Sequence, residues 1–209
     1  MGTRQQLKAR IISELSRDDL EDDLASLLET HIGQACEFYA DTKFWFNSLV
    51  TTVATTPGLP DVTIPATIRI VERVTLPAQD IELQEVPLDS LCETSSTAYP
   101  REYAYYNDKL RLSPTPSGAF TLNVYGIQQG AAPASDSDSN IWTTEAYDLI
   151  TAHVKMTLCR SVFRDTDGFK LFSGERADAL SRLQRETTRR LVAPLRVPRD
   201  VPKRWFGLF

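Results

Sequence analysis

Histidine and cysteine are scarce in this 209-residue chain, which has two of the first and three of the second. Cys36, Cys92 and Cys159 are odd in number, far apart and form no CxxC pair. A disulfide framework is therefore excluded, and free thiols in a reducing compartment are expected. His31 and His153 have no second histidine or carboxylate at metal-ligand spacing, and HExxH is missing. GxSxG, GxGxxG and GxxxxGK[ST] are missing too, which removes the sequence signatures of a nucleophile elbow, a dinucleotide loop and a P-loop. No apolar run approaches the ~18 residues of a membrane span. The opening MGTRQQLKARIISEL holds no apolar core of signal-peptide type. No repeat period stands out. No catalytic residue, metal site, cofactor or membrane partner is expected.

What is present is an ordinary globular composition, 42% hydrophobic and 24% charged. A chain of this length buries roughly 70% of its unfolded surface, enough for a substantial core in one domain or one domain with arms. The net charge of −5 hides an asymmetry. From Arg176 to Phe209 nine basic residues face three acidic ones, a net +6, so residues 1–175 carry −11. Such polarity between ends suggests a partner at one end.

Apolar spacing predicts a helix over Thr3–Ser16, with Leu7, Ile11, Ile12 and Leu15 on one stripe. A second helix is predicted to run from the acidic Asp18–Asp23 turn to about Thr42, burying Leu20, Leu24, Leu27, Leu28, His31, Ile32, Ala35 and Phe38 or Tyr39. Phe44-Trp45-Phe46 cannot share one helix face and marks a helix-to-strand switch. Ser48–Thr56, Val62–Val74 and Ile81–Val86 read as strands, broken by turns at 57–60 and 76–80. Pro87 opens a single helical turn, and Thr94–Ala98 is a polar loop. Tyr99 to Gln128, YPREYAYYNDKLRLSPTPSGAFTLNVYGIQ, reads as three short strands separated by turns at Asn107-Asp108 and Pro114–Gly118, with a further turn at Gly126. Gly130–Asn140, GAAPASDSDSN, is a flexible polar linker. A third helix, capped by Thr143-Thr144-Glu145, carries a stripe from Ala146 to Val162, and Asp165–Gly168 ends it. A fourth begins at Phe169 or Leu171, with Ala177, Leu180, Leu183, Gln184, Thr187 and Leu191 on its face.

The expected fold is α+β. A helical bundle of about four helices, 1–47 plus 141–193, holds an inserted antiparallel β-meander module, 48–129. Residues 130–140 are the linker, and an extended C-terminal arm spans 194–209, with Pro194, Pro198 and Pro202 forbidding helix.

Both histidines lie on apolar helical stripes, so packed or hydrogen-bonded roles are expected. Cys36 and Cys159 share helices with them at spacings that put each pair on different faces. Glu82, Glu85, Asp89 and Glu93 cluster, but at the spacing of a wet face rather than of a paired-acid site. Sequence-specific nucleic-acid reading lacks support, because the basic helix is not interleaved with aromatics and the whole chain is acidic. The terminal Trp205-Phe206-Gly207-Leu208-Phe209 is the most unusual feature. Three aromatics at a free end call for cover. Docking on another chain is preferred over folding back on this one, because proline stiffening lowers the ordering cost.

The order of a long amphipathic helix ending in FWF, a Thr-rich strand, PGLPDVTIP, IRIVERV and then YAYYNDKLRLSPTPSGAFTLNVYG resembles the head-to-tail adaptor (connector, or head-completion) proteins of tailed bacteriophages. The similarity covers roughly residues 18–192. It implies a structural virion protein of the neck, assembled in the host cytoplasm. Such proteins form a homo-oligomeric ring of about twelve subunits below the portal protein, and double-stranded DNA passes through its lumen without sequence-specific binding. Carried onto this chain, the portal-gripping residues would be Pro194, Arg196, Pro198, Arg199, Pro202, Lys203, Arg204, Trp205, Phe206, Leu208 and Phe209. The tyrosine face of the meander, Tyr103 and Tyr105 or Tyr106, would meet a neighbouring subunit or the next tail or nozzle protein. The family pattern carries no catalytic residue onto this chain. A tail-completion or tail-tube protein is the nearest alternative, and a cell-wall-degrading virion enzyme the alternative from another class.

Overall fold

The structure, a computed structural model, describes residues 2–15, 21–91 and 97–191. Cys92 and the whole of the expected C-terminal arm lie outside them. The class is α+β, with five helices and a seven-stranded sheet among the described residues.

Helix α1 (Arg4–Leu15) buries Leu7 and Ile11, one turn apart. Helix α2 (Glu21–Tyr39) buries Leu28, Ile32, Ala35, Cys36 and Tyr39, the three-and-four spacing of a single face. Both pack on α4 (Tyr147–Leu158), the central helix, through Leu149, Ile150, Val154 and Leu158. A one-turn helix α3 (Ile141–Thr144) precedes it. Its cap is Asn140, whose side chain accepts from the Trp142 and Thr143 amides while the Thr143 hydroxyl accepts from the Asn140 amide. Expecting Thr143–Glu145 as the cap missed this reciprocal box by one turn. After Leu158 the helix widens into a π turn (Cys159–Phe163) closed by Arg164 at φ 51°. Ser161 and Val162 are thereby turned to solvent, off the predicted stripe. Helix α5 (Thr166–Leu191) returns antiparallel along α4. It starts three residues before Phe169 because the Asp165 carboxylate accepts from the Asp167 and Gly168 amides. At 26 residues it is about 39 Å long. Its buried residues are Phe172 and Ala179 alone, with Leu180 and Leu183 half-buried. Ala177, Gln184 and Leu191, expected inside, are exposed.

The chain leaves the bundle through Phe44–Asn47. Phe44 stacks on Phe46 at 5.1 Å, and both meet Trp142 edge-on. The fully buried Asn47 accepts from the Phe44 amide (2.7 Å) and donates to the Thr42 carbonyl (2.8 Å). Its own carbonyl accepts from Gln128, stitching the entry and exit of the sheet together at 2.7 Å.

The strands are β1 (Ser48–Ala54), β2 (Asp61–Thr63), β3 (Ile68–Leu76), β4 (Ile81–Glu85), β6 (Glu102–Tyr106), β7 (Lys109–Ser113) and β9 (Thr121–Gln128), in the order β1-β9-β3-β4-β6-β7-β2. Two-residue strands β5 (Thr97–Ala98) and β8 (Thr115–Pro116) pair separately, within what reads as polar loop and turn. Every pairing in the large sheet is antiparallel except β4 with β6. The sheet curls around Val74, Leu76, Leu83, Tyr103, Leu110, Leu112, Leu122 and Val124. The hairpin at Asn107-Asp108 forms without glycine, both residues taking positive φ (44° and 57°). The three strands of Tyr99–Gln128 are not neighbours, however. β6 and β7 pair, but β9 inserts between β1 and β3. Gly126 is no turn either. It faces Val71, between two register shifts of β3, where a Cβ would overlap the Ile70 carbonyl oxygen.

Bundle and sheet meet across an ionic seam. Arg69 of β3 reaches Glu37 (2.7 Å) and Asp41, and Lys43 reaches Glu72 at 2.5 Å. Residues 130–140 have no helix or strand, as a connection does. They are nonetheless tied to α1. Asp136 meets Arg4 and Lys8 at 2.8 and 2.7 Å, and the Arg4 amide donates to the Asp138 carbonyl.

Candidate functional site

Among the described residues, His153 and Cys36 are in structural settings. His153 shares a 3.0 Å hydrogen bond between Nδ1 and the Tyr39 hydroxyl, and its ring packs on Phe38. Burial, with Arg176 and His31 nearby, depresses its pKa to about 4. It is neutral at physiological pH and, among the described residues, has no carboxylate to orient it as a base. Burial pushes the Cys36 thiol up to about 12, so it is an inert packed group. Of the clustered carboxylates, Glu82 lies 3.8 Å from Arg73, Glu85 stands at 3.5 Å from the Tyr103 hydroxyl, and Asp89 sits in an exposed 3₁₀ turn. Glu93 is outside the described residues. No group of three or more His, Cys, Asp and Glu side chains is arranged for a metal among the described residues.

A feature that sequence reasoning missed lies between α1 and α5, over α4. Arg10, Glu14, Asp148, Lys155, Glu175, Asp178 and Arg182 surround a groove of about 520 Å³ with Ala152, Phe172 and Ala179 on its floor. At its centre Lys155, 3% exposed, donates to Glu14 at 2.5 Å and Glu175 at 2.7 Å, with Nζ 4.2 Å from the centre of the Phe172 ring. Burial tends to raise the Glu14 pKa, but hydrogen bonds from Arg10 and Lys155 hold it below the ordinary carboxylate value. Arg10 bridges to Asp148, which Arg182 reaches from α5. The signal was in the spacing. Asp148, Thr151 and Lys155 repeat at three and four along α4, as do Leu171, Glu175, Asp178 and Arg182 along α5.

Other large apolar side chains reach solvent. Phe38 at the end of α2 is 63% exposed and Leu171 on α5 is 61% exposed. The far end of α5 is anchored at the bundle–sheet junction. Arg190 lies over the Trp45 ring at 3.7 Å, and the Trp45 amide donates to the Thr187 hydroxyl. The eighteen residues from Val192 to Phe209 continue from this point.

The expected tyrosine face is split. Tyr103 is a correction. Its ring is fully buried in the sheet core, and burial beside Glu85 pushes its pKa to about 12, so it presents nothing to a partner. Tyr105 is exposed and donates to Asp108 at 2.9 Å, while Tyr106 donates to Asp61 at 2.7 Å. The residues expected to grip a portal, Pro194 to Phe209, lie outside the described residues.

No helix among the described residues is long and apolar enough to cross a membrane. No curated protein matches the chain. The sequence profile described as SU10 adaptor protein matches residues 3–198, nearly the whole length, including both cores, the groove and the start of the basic terminal segment. The chain thus belongs to the SU10 adaptor protein family, a family of phage structural adaptors rather than a known enzyme family.

Proposed function

We propose that this protein is a neck component of a tailed phage, a homo-oligomeric ring joining the portal protein to the tail. The observation that carries the reading is α5, a 26-residue helix that buries only Phe172 and Ala179 and leads into a segment of opposite charge to the body. An amphipathic helix earns its stability by burying a face, so so bare a helix fits a chain completed by neighbours. The arm, 194–209, supplies a basic, aromatic and proline-stiffened contact for the portal through the residues from Pro194 to Phe209 named above. Repeated around a ring of about twelve subunits, weak arms become a durable joint. The module at 48–129 would face the next tail or nozzle protein, with Tyr105 and Tyr106 as its accessible tyrosines. The −11 charge of residues 1–175 suits a lumen through which DNA slides without sticking. Virion assembly in the host cytoplasm follows from this role. Deleting Pro198–Phe209 should leave a folded protein that no longer joins DNA-filled heads in a reconstitution assay. Unchanged attachment would count against the reading.

A further inference from the structure

The α4–α5 hairpin has two unlike flanks. On α4, His153 faces α2 through Tyr39, and Lys155 faces α1 through Glu14. Residues two apart on a helix are about 200° apart around it. Helix α5 repeats the division. Arg176 lies beside Tyr39, while Glu175, Asp178 and Arg182 line the groove against α1. Arg176 and Asp178 are again two positions apart, on opposite sides of one helix.

Each flank lacks something the other offers. On the α2 flank the Phe38 ring projects, its centre 5.0 Å from that of the tilted His153 ring. Beside it Arg176 hydrogen-bonds Tyr39 but has no carboxylate partner among the described residues, and its Nε is buried without a hydrogen-bond partner. On the α1 flank Asp178 is exposed and makes no ion pair among the described residues, Arg182 one turn on being drawn to Asp148, next to a groove floored by Ala152, Phe172 and Ala179. An unpaired cation with a projecting ring thus stands opposite an unpaired carboxylate with an apolar-floored recess.

Height matters as much as charge. Positions 176 and 178 differ by about 3 Å of rise along α5, as do 153 and 155 along α4. About a ring axis parallel to α5, the two flanks lie at nearly one level. A head-to-tail contact between surfaces at one level repeats by rotation with little translation, which closes into a ring. A contact between offset surfaces would climb into a filament.

We infer that a second copy of this chain seats on the α1 flank, its Phe38 entering the groove over Phe172 and Ala179 and its Arg176 pairing with Asp178. This assignment rests on the ring reading above and specifies its contact.

The test uses the full chain, alone and added to the portal assembly of its phage, with native mass spectrometry reading the assembly mass. The wild type forms a ring. Asp178→Arg and Arg176→Asp each place like charges across the contact and weaken association by on the order of tenfold or more. The double variant Arg176→Asp/Asp178→Arg restores the pair in reverse and regains the ring. Asp178 is exposed, so Asp178→Arg should keep its thermal melt, and Phe38→Ser gives a second disruption without a charge change. A ring unaffected by Asp178→Arg and Phe38→Ser, or a double variant no better than the singles, overturns the contact while the ring reading stands. So does dissolution of the ring by removing 194–209 together with insensitivity to Asp178→Arg, which assigns the subunit contact to the arm. A wild type that self-associates neither alone nor on the portal overturns both.

Discussion

Replacing Lys155 with methionine asks whether the polar centre of the α1–α5 groove holds the bundle together. The change keeps side-chain length and removes the charge. Lost are two charge-assisted hydrogen bonds, to Glu14 and Glu175, each worth about 1.5–3 kcal/mol, and a contact with the Phe172 ring worth roughly 0.5–2 kcal/mol. Gained is relief from desolvating an ammonium that is 3% exposed. Stranding one partner of a buried pair costs about 3–5 kcal/mol when the charge left behind is fully buried. Here the stranded groups are Glu14 and Glu175, 34% and 45% exposed, and Glu14 keeps Arg10. The balance falls to about 2–3 kcal/mol, from a total of about 5–15 kcal/mol, and lowers Tm by about 4–12 °C. The triple variant Glu14→Gln/Lys155→Met/Glu175→Gln removes the stranded charges and should recover most of the loss. Urea unfolding followed by circular dichroism measures both. A single variant as stable as wild type, or a triple variant less stable than the single, would refute the reasoning.

The depressed pKa of His153 makes stability fall as pH falls. Above about pH 6.5 the ring is neutral in both states. Between 6.5 and 4 the unfolded chain binds a proton the folded one refuses, because the ring lies buried against Tyr39 with Arg176 and His31 close by. Allowing for its half-exposed side, acidification from pH 7.5 to 4 should cost about 1–2 kcal/mol more in wild type than in His153→Gln. Equal losses in urea titrations would contradict this. Gly126→Ala forces a methyl against the Ile70 carbonyl, which cannot yield without opening the β3–β9 pairing. It should cost about 3 kcal/mol in the same assay, and a neutral result would show that β9 can slide off its bulges.

Much of the fold was legible because local rules carried it. The alternation of β1, β3 and β4, the Asn107-Asp108 hairpin and the stripes of α1 and α2 all agree with the tertiary contacts that stabilise them. Failures fell where distant partners decide. Nothing near Gly126 in sequence says that Ile70 will lie against it, so its glycine read as a turn. Tyr103 and Tyr105 alternate onto one face, yet the curl of the sheet buries the first and exposes the second. The stripe of α5 was misplaced because the helix buries too little in its own chain for apolar spacing to identify the inner face. For the candidate site composition supplied an expectation, the basic, aromatic end, which lies outside the described residues. The groove was not legible, because its charges come from three helices, and only folding brings Glu14, Lys155 and Glu175 together.

The most direct measurement of the central claim is a cryo-microscopy reconstruction of the neck of the intact virion. The expected result is this chain as a closed ring immediately below the portal, with DNA on its axis and residues 194–209 reaching the portal. A reconstruction that places the chain in the tail tube or at the tail tip, with another protein in contact with the portal, would contradict it.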